Sequence, residues 1–164
     1  EFGNEVITME RFDLTELIRG VINSSAILLN QNEITLDFTQ QEPLYAWADE
    51  FKVEEVVTNY LSNAIHHAEG EKRIDISCVQ KGDKVRVSVF NTGNPIPEED
   101  VDNIWIKFYK VDKARTREYG GSGIGLSIVR AIMDSFHQKC GVINHEDGVE
   151  CWFELETNNG NFFS

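Results

Sequence analysis

In KVRVSVF, Val85, Val87 and Val89 alternate with Arg86, Ser88 and Phe90, a period of two that predicts a half-buried strand. RIDISCVQ precedes it across Lys81-Gly82-Asp83, so the two stretches read as a hairpin. CGVINH and VECWFELE repeat the arrangement around Asp147-Gly148. EITLDFT and LYAWA read as two more strands, and residues 5–12 as extended. Helical spacing occurs in three places. Leu14, Leu17, Ile18, Val21 and Ile22 predict a helix to about Leu29, and Asp13 and Glu16 stand at capping-box spacing before it. Val53, Val56, Val57, Tyr60, Leu61, Ala64 and Ala68 predict a second helix from Glu50 to Ala68, with Asp49 as its cap. Leu126, Val129, Ile132, Met133 and Phe136 predict a third, and a short helix is expected after Pro97. Helices and strands mix without regular alternation. The expectation is therefore an α/β fold, a two-layer sandwich of a mixed β-sheet with helices on one face. One domain is expected over residues 1–156, with 157–164 as a frayed tail.

Composition narrows the function. A chain of 164 residues, 41% hydrophobic, can bury a core without staples. No run of 18 apolar residues is present, so no membrane contact is expected of this domain, and no signal-peptide pattern opens the sequence. Cys78, Cys140 and Cys151 are too scattered for a disulfide framework and lack metal-ligand spacing with histidine, which fits a reducing cytoplasm. The net charge of -13 argues against a nucleic-acid surface. One basic island interrupts that charge: Lys107, Lys110, Lys113, Arg115 and Arg117 against Asp112 and Glu118. Such an island is a solvated loop or faces an anion.

Three polar features carry the chemistry. In YGGSGIGLSIV, glycines at 120, 121, 123 and 125 run into the third helix. Glycines there leave backbone N–H groups open to phosphate, although a flexible hinge has the same composition. Neither a P-loop nor a Rossmann fingerprint fits, because Leu126 stands where the lysine or glycine is needed. On the second helix, Glu55, Asn59, Asn63 and then His66 or His67 form a stripe beside the apolar face. Asparagine is a mediocre helix former, and its amide oxygen is a hard ligand suited to Mg²⁺. The third feature, NTGNPI, follows the strand of alternating valines.

NYLSNAIHHA, NTGNPI and YGGSGIGLSIV, in this order and spacing, resemble the ATP-binding domain of bacterial sensor histidine kinases. The wider superfamily includes gyrase-type topoisomerases, heat-shock chaperone ATPases and mismatch-repair ATPases, with a Bergerat-type fold. FDLTELI and IWIKFYKVDKART strengthen the likeness, which covers about residues 8–156. The resemblance implies ATP and Mg²⁺ as ligands. It assigns Asn63 to the metal and Asn59 to the phosphates, and it sets Asn59 and Lys110 in the catalytic role. A neutral Asn59 suits transfer to histidine rather than to water. His66 and His67 fall where relatives often carry Lys and Tyr around the phosphates and sugar. Phe108 matches a motif phenylalanine, with Tyr109 behind it, and Lys110 lies where relatives often place an arginine toward the γ-phosphate. Gly121, Gly123, Gly125 and Leu126 match the box that ends a mobile lid of about residues 106–121. Asn91, Gly93 and Ile96 match the first glycine box.

That box departs from its pattern. Pro95 replaces a glycine, and Asn91 replaces the aspartate that accepts from the adenine amino group. An amide can turn its oxygen to adenine or its NH₂ to guanine, so a weaker preference for ATP over GTP is expected unless a neighbour such as Thr92 locks it. Val149 follows Gly148 where relatives often have Thr. The resemblance implies a phosphate-accepting histidine on a separate dimerisation domain of the same parent, and a response regulator downstream. His66, His67, His137 and His145 do not lie in such a helical pair, so the chain reads as the cytoplasmic ATP-binding part of a parent anchored in the membrane. Two alternatives stand beside this: a serine-directed kinase of the anti-sigma type, and a degenerate non-catalytic nucleotide-binding module, which Asn91, Pro95 and Val149 favour.

Overall fold

The structure is a computed structural model, described here for residues 6–105 and 125–158. The two hairpins form as the alternation predicts: β4 (Arg73–Lys81) with β5 (Lys84–Thr92), and β6 (Cys140–His145) with β7 (Gly148–Glu156). Among the described residues these join β1 (Glu10–Asp13), β2 (Thr35–Asp37) and β3 (Tyr45–Ala48) in one sheet of order β1-β3-β7-β5-β4-β2, with β6 also on β7. One side of β7 is taken by β5. The other is shared, by β6 against residues 148–153 and by β3 at Trp47↔Glu156. β2 runs parallel to β4 and the other pairs are antiparallel, so the sheet is mixed. The strand expected over EITLDFT contracts to three residues.

Helices α1 (Leu14–Ser24), α2 (Ala26–Gln31), α3 (Glu50–His67) and α4 (Gly125–Ser135) supply the second layer. The first helix does not continue unbroken to Leu29. Ser25 leaves helical geometry at φ -97 and ψ 4, and its N–H is shared between the carbonyls of Val21 and Ile22. A serine pair at 24 and 25 tolerates this break, because its hydroxyls compete for backbone groups. The turned segment buries Leu29 and leaves Ile27 and Leu28 exposed. After Pro97 the expected helix is two short 3₁₀ turns, Glu98–Asp100 and Asn103–Trp105.

The caps act as their spacing suggests. Asp13 accepts from the Glu16 N–H at 3.1 Å. Asp49 Oδ1 accepts from Phe51 and Lys52 N–H, and its Oδ2 takes the Thr8 N–H at 2.9 Å. The core lies between α1, α3 and α4 and one sheet face: Val53, Val56, Val57 and Leu61 meet Val85, Val87, Val89, Phe153 and Leu155. Each such side chain contributes about 1.5–3 kcal/mol by leaving water. Tyr60 Oη donates to the Trp152 carbonyl at 2.9 Å and so ties α3 to β7. The opposite sheet face is polar, with Arg86 paired to Glu154 and stacked 3.7 Å over Trp152. Among the described residues no helix is long and apolar enough to cross a membrane.

Candidate functional site

α3 is the spine of the site. Its 18 residues place Asn59 and Asn63 one turn apart. Asn59 Nδ2 donates to the Glu55 carbonyl at 2.9 Å, which leaves Oδ1 as the outward end of its amide. A β-carbon on Gly125, the first residue of α4, would lie 3.0 Å from that oxygen. The glycine that opens α4 therefore sits directly against the asparagine stripe. Asn63 is 8% exposed, and among the described residues its carboxamide takes no hydrogen-bond partner. A nearly buried amide of this kind retains a donor and an acceptor for a ligand.

The strand end NTGNPI meets the other end of α3. The Glu69 N–H donates to the Thr92 carbonyl, and Thr92 Oγ1 donates to the Glu69 carbonyl while accepting from the Arg73 N–H. These bonds seat Gly93 on the last turn of the helix. Its φ is +148, and a β-carbon there would lie 2.8 Å from the His67 carbonyl oxygen. Glycine is required on both counts. Asn91 shares the helix-facing side of β5 with Val87 and Val89 and is 6% exposed. Its Nδ2 donates to the Thr92 carbonyl at 3.0 Å, so turning the amide would set oxygen against oxygen. Thr92 thus supplies the lock that the sequence left open. Pro95 is exposed and Ile96 is buried.

Of the predicted site residues, Asn59, Asn63, His67, Asn91, Gly93, Gly125 and the buried Leu126 gather around α3. His66 instead lines a cavity of about 370 Å³ with Leu28, Asn32, Ser62 and Ile65 on the α2 side. Phe108, Tyr109, Lys110, Gly121, Gly123 and the 106–121 lid lie outside the described residues. Two features escaped the sequence. Asn144 of β6 binds both backbone groups of Ile96, each at 2.9 Å, and the Asp147 carbonyl accepts from the Gly93 N–H. The signal for Asn144 was faint: an asparagine, a poor strand former, inside CGVINH. In the sequence Gly148 reads as part of a hairpin turn and of a glycine box without its usual Thr. In the structure its missing side chain lets β7 approach the Asn91 carbonyl and the Phe90 ring, while Val149 is core.

Two kinds of chemistry are remote from this geometry. Burial pushes the Cys78 and Cys140 thiols up to about 11 and that of Cys151 up to about 12, so all three are neutral and weakly nucleophilic near pH 7. Among the described residues no cluster of His, Cys, Asp and Glu could hold a metal by itself. A hard cation here would need oxygen ligands from a bound anion beside the Asn63 amide, the arrangement Mg²⁺ favours with phosphates.

Known proteins resemble this chain in sequence and fold. Residues 48–159 match the family described as histidine kinase-, DNA gyrase B-, and HSP90-like ATPase. The chain is 32% identical over 134 residues to the sensor protein kinase WalK of Staphylococcus epidermidis, covering 80% of this chain and 22% of that protein. It thus spans about a fifth of the length of that relative. The catalytic domain of histidine kinase ThkA superposes with a TM-score of 0.79 at 36% identity, covering 92% of this chain and 98% of that domain. ThkA in complex with the response regulator protein TrrA gives 0.78 at 30% identity, covering 96% of this chain and 44% of that one.

Proposed function

Because the chain belongs to the histidine kinase-, DNA gyrase B-, and HSP90-like ATPase family, we propose that residues 1–156 are the catalytic ATP-binding domain of a sensor histidine kinase. The observation that carries this reading is the convergence on α3, with Gly125 against Asn59 and Gly93 against the His67 carbonyl. Two glycine-bearing segments distant in sequence are brought to the two ends of one asparagine stripe. A nucleotide laid along this stripe would meet Gly125 at one end and Gly93 at the other.

In this reading Asn91 and Ile96 meet the adenine, His67 flanks the sugar and phosphates, and Asn59 and Lys110 face the reacting phosphate, while His66, which lines the cavity on the α2 side, stands apart from the nucleotide. Phe108, Tyr109, Gly121, Gly123 and Leu126 complete the enclosure. Asn63 is the residue that would hold Mg²⁺ in this reading, and the ion, shared with phosphate oxygens, would neutralise the triphosphate. Asn59 and Asn63 are neutral and cannot take a proton from water, so the pair orients the phosphate without promoting hydrolysis. The γ-phosphoryl passes to an imidazole nitrogen of the parent's dimerisation domain and leaves ADP, and a response regulator then takes it. The parent is anchored in the membrane and this domain works on its cytoplasmic side.

The acceptor is not among the chain's own described histidines. His145 pairs with Glu150 at 2.8 Å and packs edge-on to Phe90, on the sheet face opposite α3. The chain alone, given γ-labelled ATP and Mg²⁺, is expected to take no acid-labile label. Adding the parent's histidine-bearing segment is expected to produce labelling of that segment. Acid-stable label on serine, or strong labelling of His145, would refute the histidine-kinase reading.

Locking of Asn91 changes the expected base selectivity. The bond from Nδ2 to the Thr92 carbonyl fixes which way the amide faces, so its oxygen is held as the acceptor for the amino group of adenine. The native chain is expected to prefer ATP over GTP strongly. Asn91→Asp would bring a carboxylate against the Thr92 carbonyl, so it should cost about 1–3 kcal/mol of stability and not sharpen the preference. Competition calorimetry and thermal unfolding check both; a sharper ATP preference in Asn91→Asp would show that the amide turns.

A further inference from the structure

We propose that Asn144 is a positioning residue for the nucleobase end of the site, an inference that rests on the reading of NTGNPI as the adenine-facing loop. Its carboxamide meets the Ile96 backbone as a neighbouring strand would. Oδ1 accepts the Ile96 N–H and Nδ2 donates to the Ile96 carbonyl, both at 2.9 Å. Three residues along the same hairpin, the Asp147 carbonyl accepts the Gly93 N–H at 2.9 Å. The β6–β7 hairpin therefore grips the loop at both Gly93 and Ile96, with exposed Asn94 and Pro95 between. Through β7 it also pairs with Asn91 and Thr92. Asn91 and Ile96, the two groups assigned to the base, are thus set by one rigid element. The Ile96 side chain is 5% exposed, which leaves its backbone little room to drift once gripped.

An amide is the suitable group, because it offers one donor and one acceptor at fixed separation. Aspartate can only accept, leucine can do neither, and glutamine sets the amide one methylene too far out. The grip lies at the base end of the cleft, while Asn59, Asn63 and Gly125 lie at the phosphate end. Its loss should therefore act on the base and spare the phosphates.

The test compares the native chain with Asn144→Leu and Asn144→Asp. The probes are ATP, GTP and inorganic tripolyphosphate, each with Mg²⁺, and the further readout is amide exchange at Ile96. Asn144→Leu is expected to weaken ATP roughly tenfold, the loss of two neutral hydrogen bonds, and to weaken GTP less. Tripolyphosphate binding should be unchanged, and Ile96 should lose its exchange protection. Asn144→Asp keeps the acceptor and should fall between; it also carries the comparison if Asn144→Leu does not fold. Equal losses for all three probes, or an unchanged ATP-to-GTP ratio with Ile96 freely exchanging, would overturn the proposal while native ATP binding stands. Absence of ATP binding by the native chain would overturn the reading beneath it.

Discussion

Asn63→Ala is expected to abolish most of the Mg²⁺-dependent part of ATP binding while leaving metal-free binding nearly unchanged. The side chain is almost buried, and among the described residues its amide has no protein partner, so the truncation breaks no internal hydrogen bond. Alanine is also the better helix former by roughly 0.6 kcal/mol, which offsets the small cavity created. Thermal stability should therefore hold, and a loss of affinity cannot be assigned to unfolding. A ligand to a charged group contributes about 1.5–3 kcal/mol, or roughly 10- to 100-fold in affinity. No His, Cys, Asp and Glu cluster among the described residues can take over the metal. Calorimetry with and without Mg²⁺ separates the two components. If both fall equally, Asn63 acts on the nucleotide or the fold and not on the metal.

Gly148→Ala is expected to be the most damaging small substitution in the described fold. A β-carbon there would run into the Asn91 carbonyl oxygen on the paired strand and come within 2.7–2.8 Å of the Phe90 ring. The carbonyl belongs to the backbone of β5, in the ladder where Thr92 faces Gly148 and Asn91 faces Val149, and cannot turn aside like a flexible side chain. Relief requires the strands to part, which weakens neighbouring ladder bonds and shifts Asn91. Overpacking of this kind costs about 3 kcal/mol, which for a chain of this size lowers Tm by roughly 6–12 °C. ATP affinity should fall with it, because Asn91 moves. Thermal unfolding with parallel nucleotide titration checks both; an unchanged Tm would mean that β7 lies farther from β5 than the structure has it.

These two positions differ in how visible they are in the sequence. Asn63 could be singled out because a helix repeats every 3.6 residues, so two asparagines four apart announce a shared stripe. Gly148 looked like a hairpin turn, and its contact with Asn91 lies 57 positions away along the chain, beyond any local pattern. Asn91 illustrates a middle case. Its place at a strand end was legible, but the direction of its amide was not, since a carboxamide offers a donor and an acceptor of similar shape. The Thr92 carbonyl decided it.

The amino-acid pattern alone determined the main helices and strands, the faces they bury, the aspartates that cap α1 and α3, and the order of the polar boxes. All of these follow from periodicity or from hydrogen bonds within one turn, and so need only near neighbours. Tertiary structure decided the rest. It set β2 parallel to β4, divided one side of β7 between β6 and β3, and broke the first helix at Ser25. It also gave Asn144 the backbone of Ile96, 48 residues away. Such contacts are chosen by which surfaces can be buried together once the chain has closed its long loops. That choice depends on the shape of every element at once and leaves little trace in any short stretch of sequence.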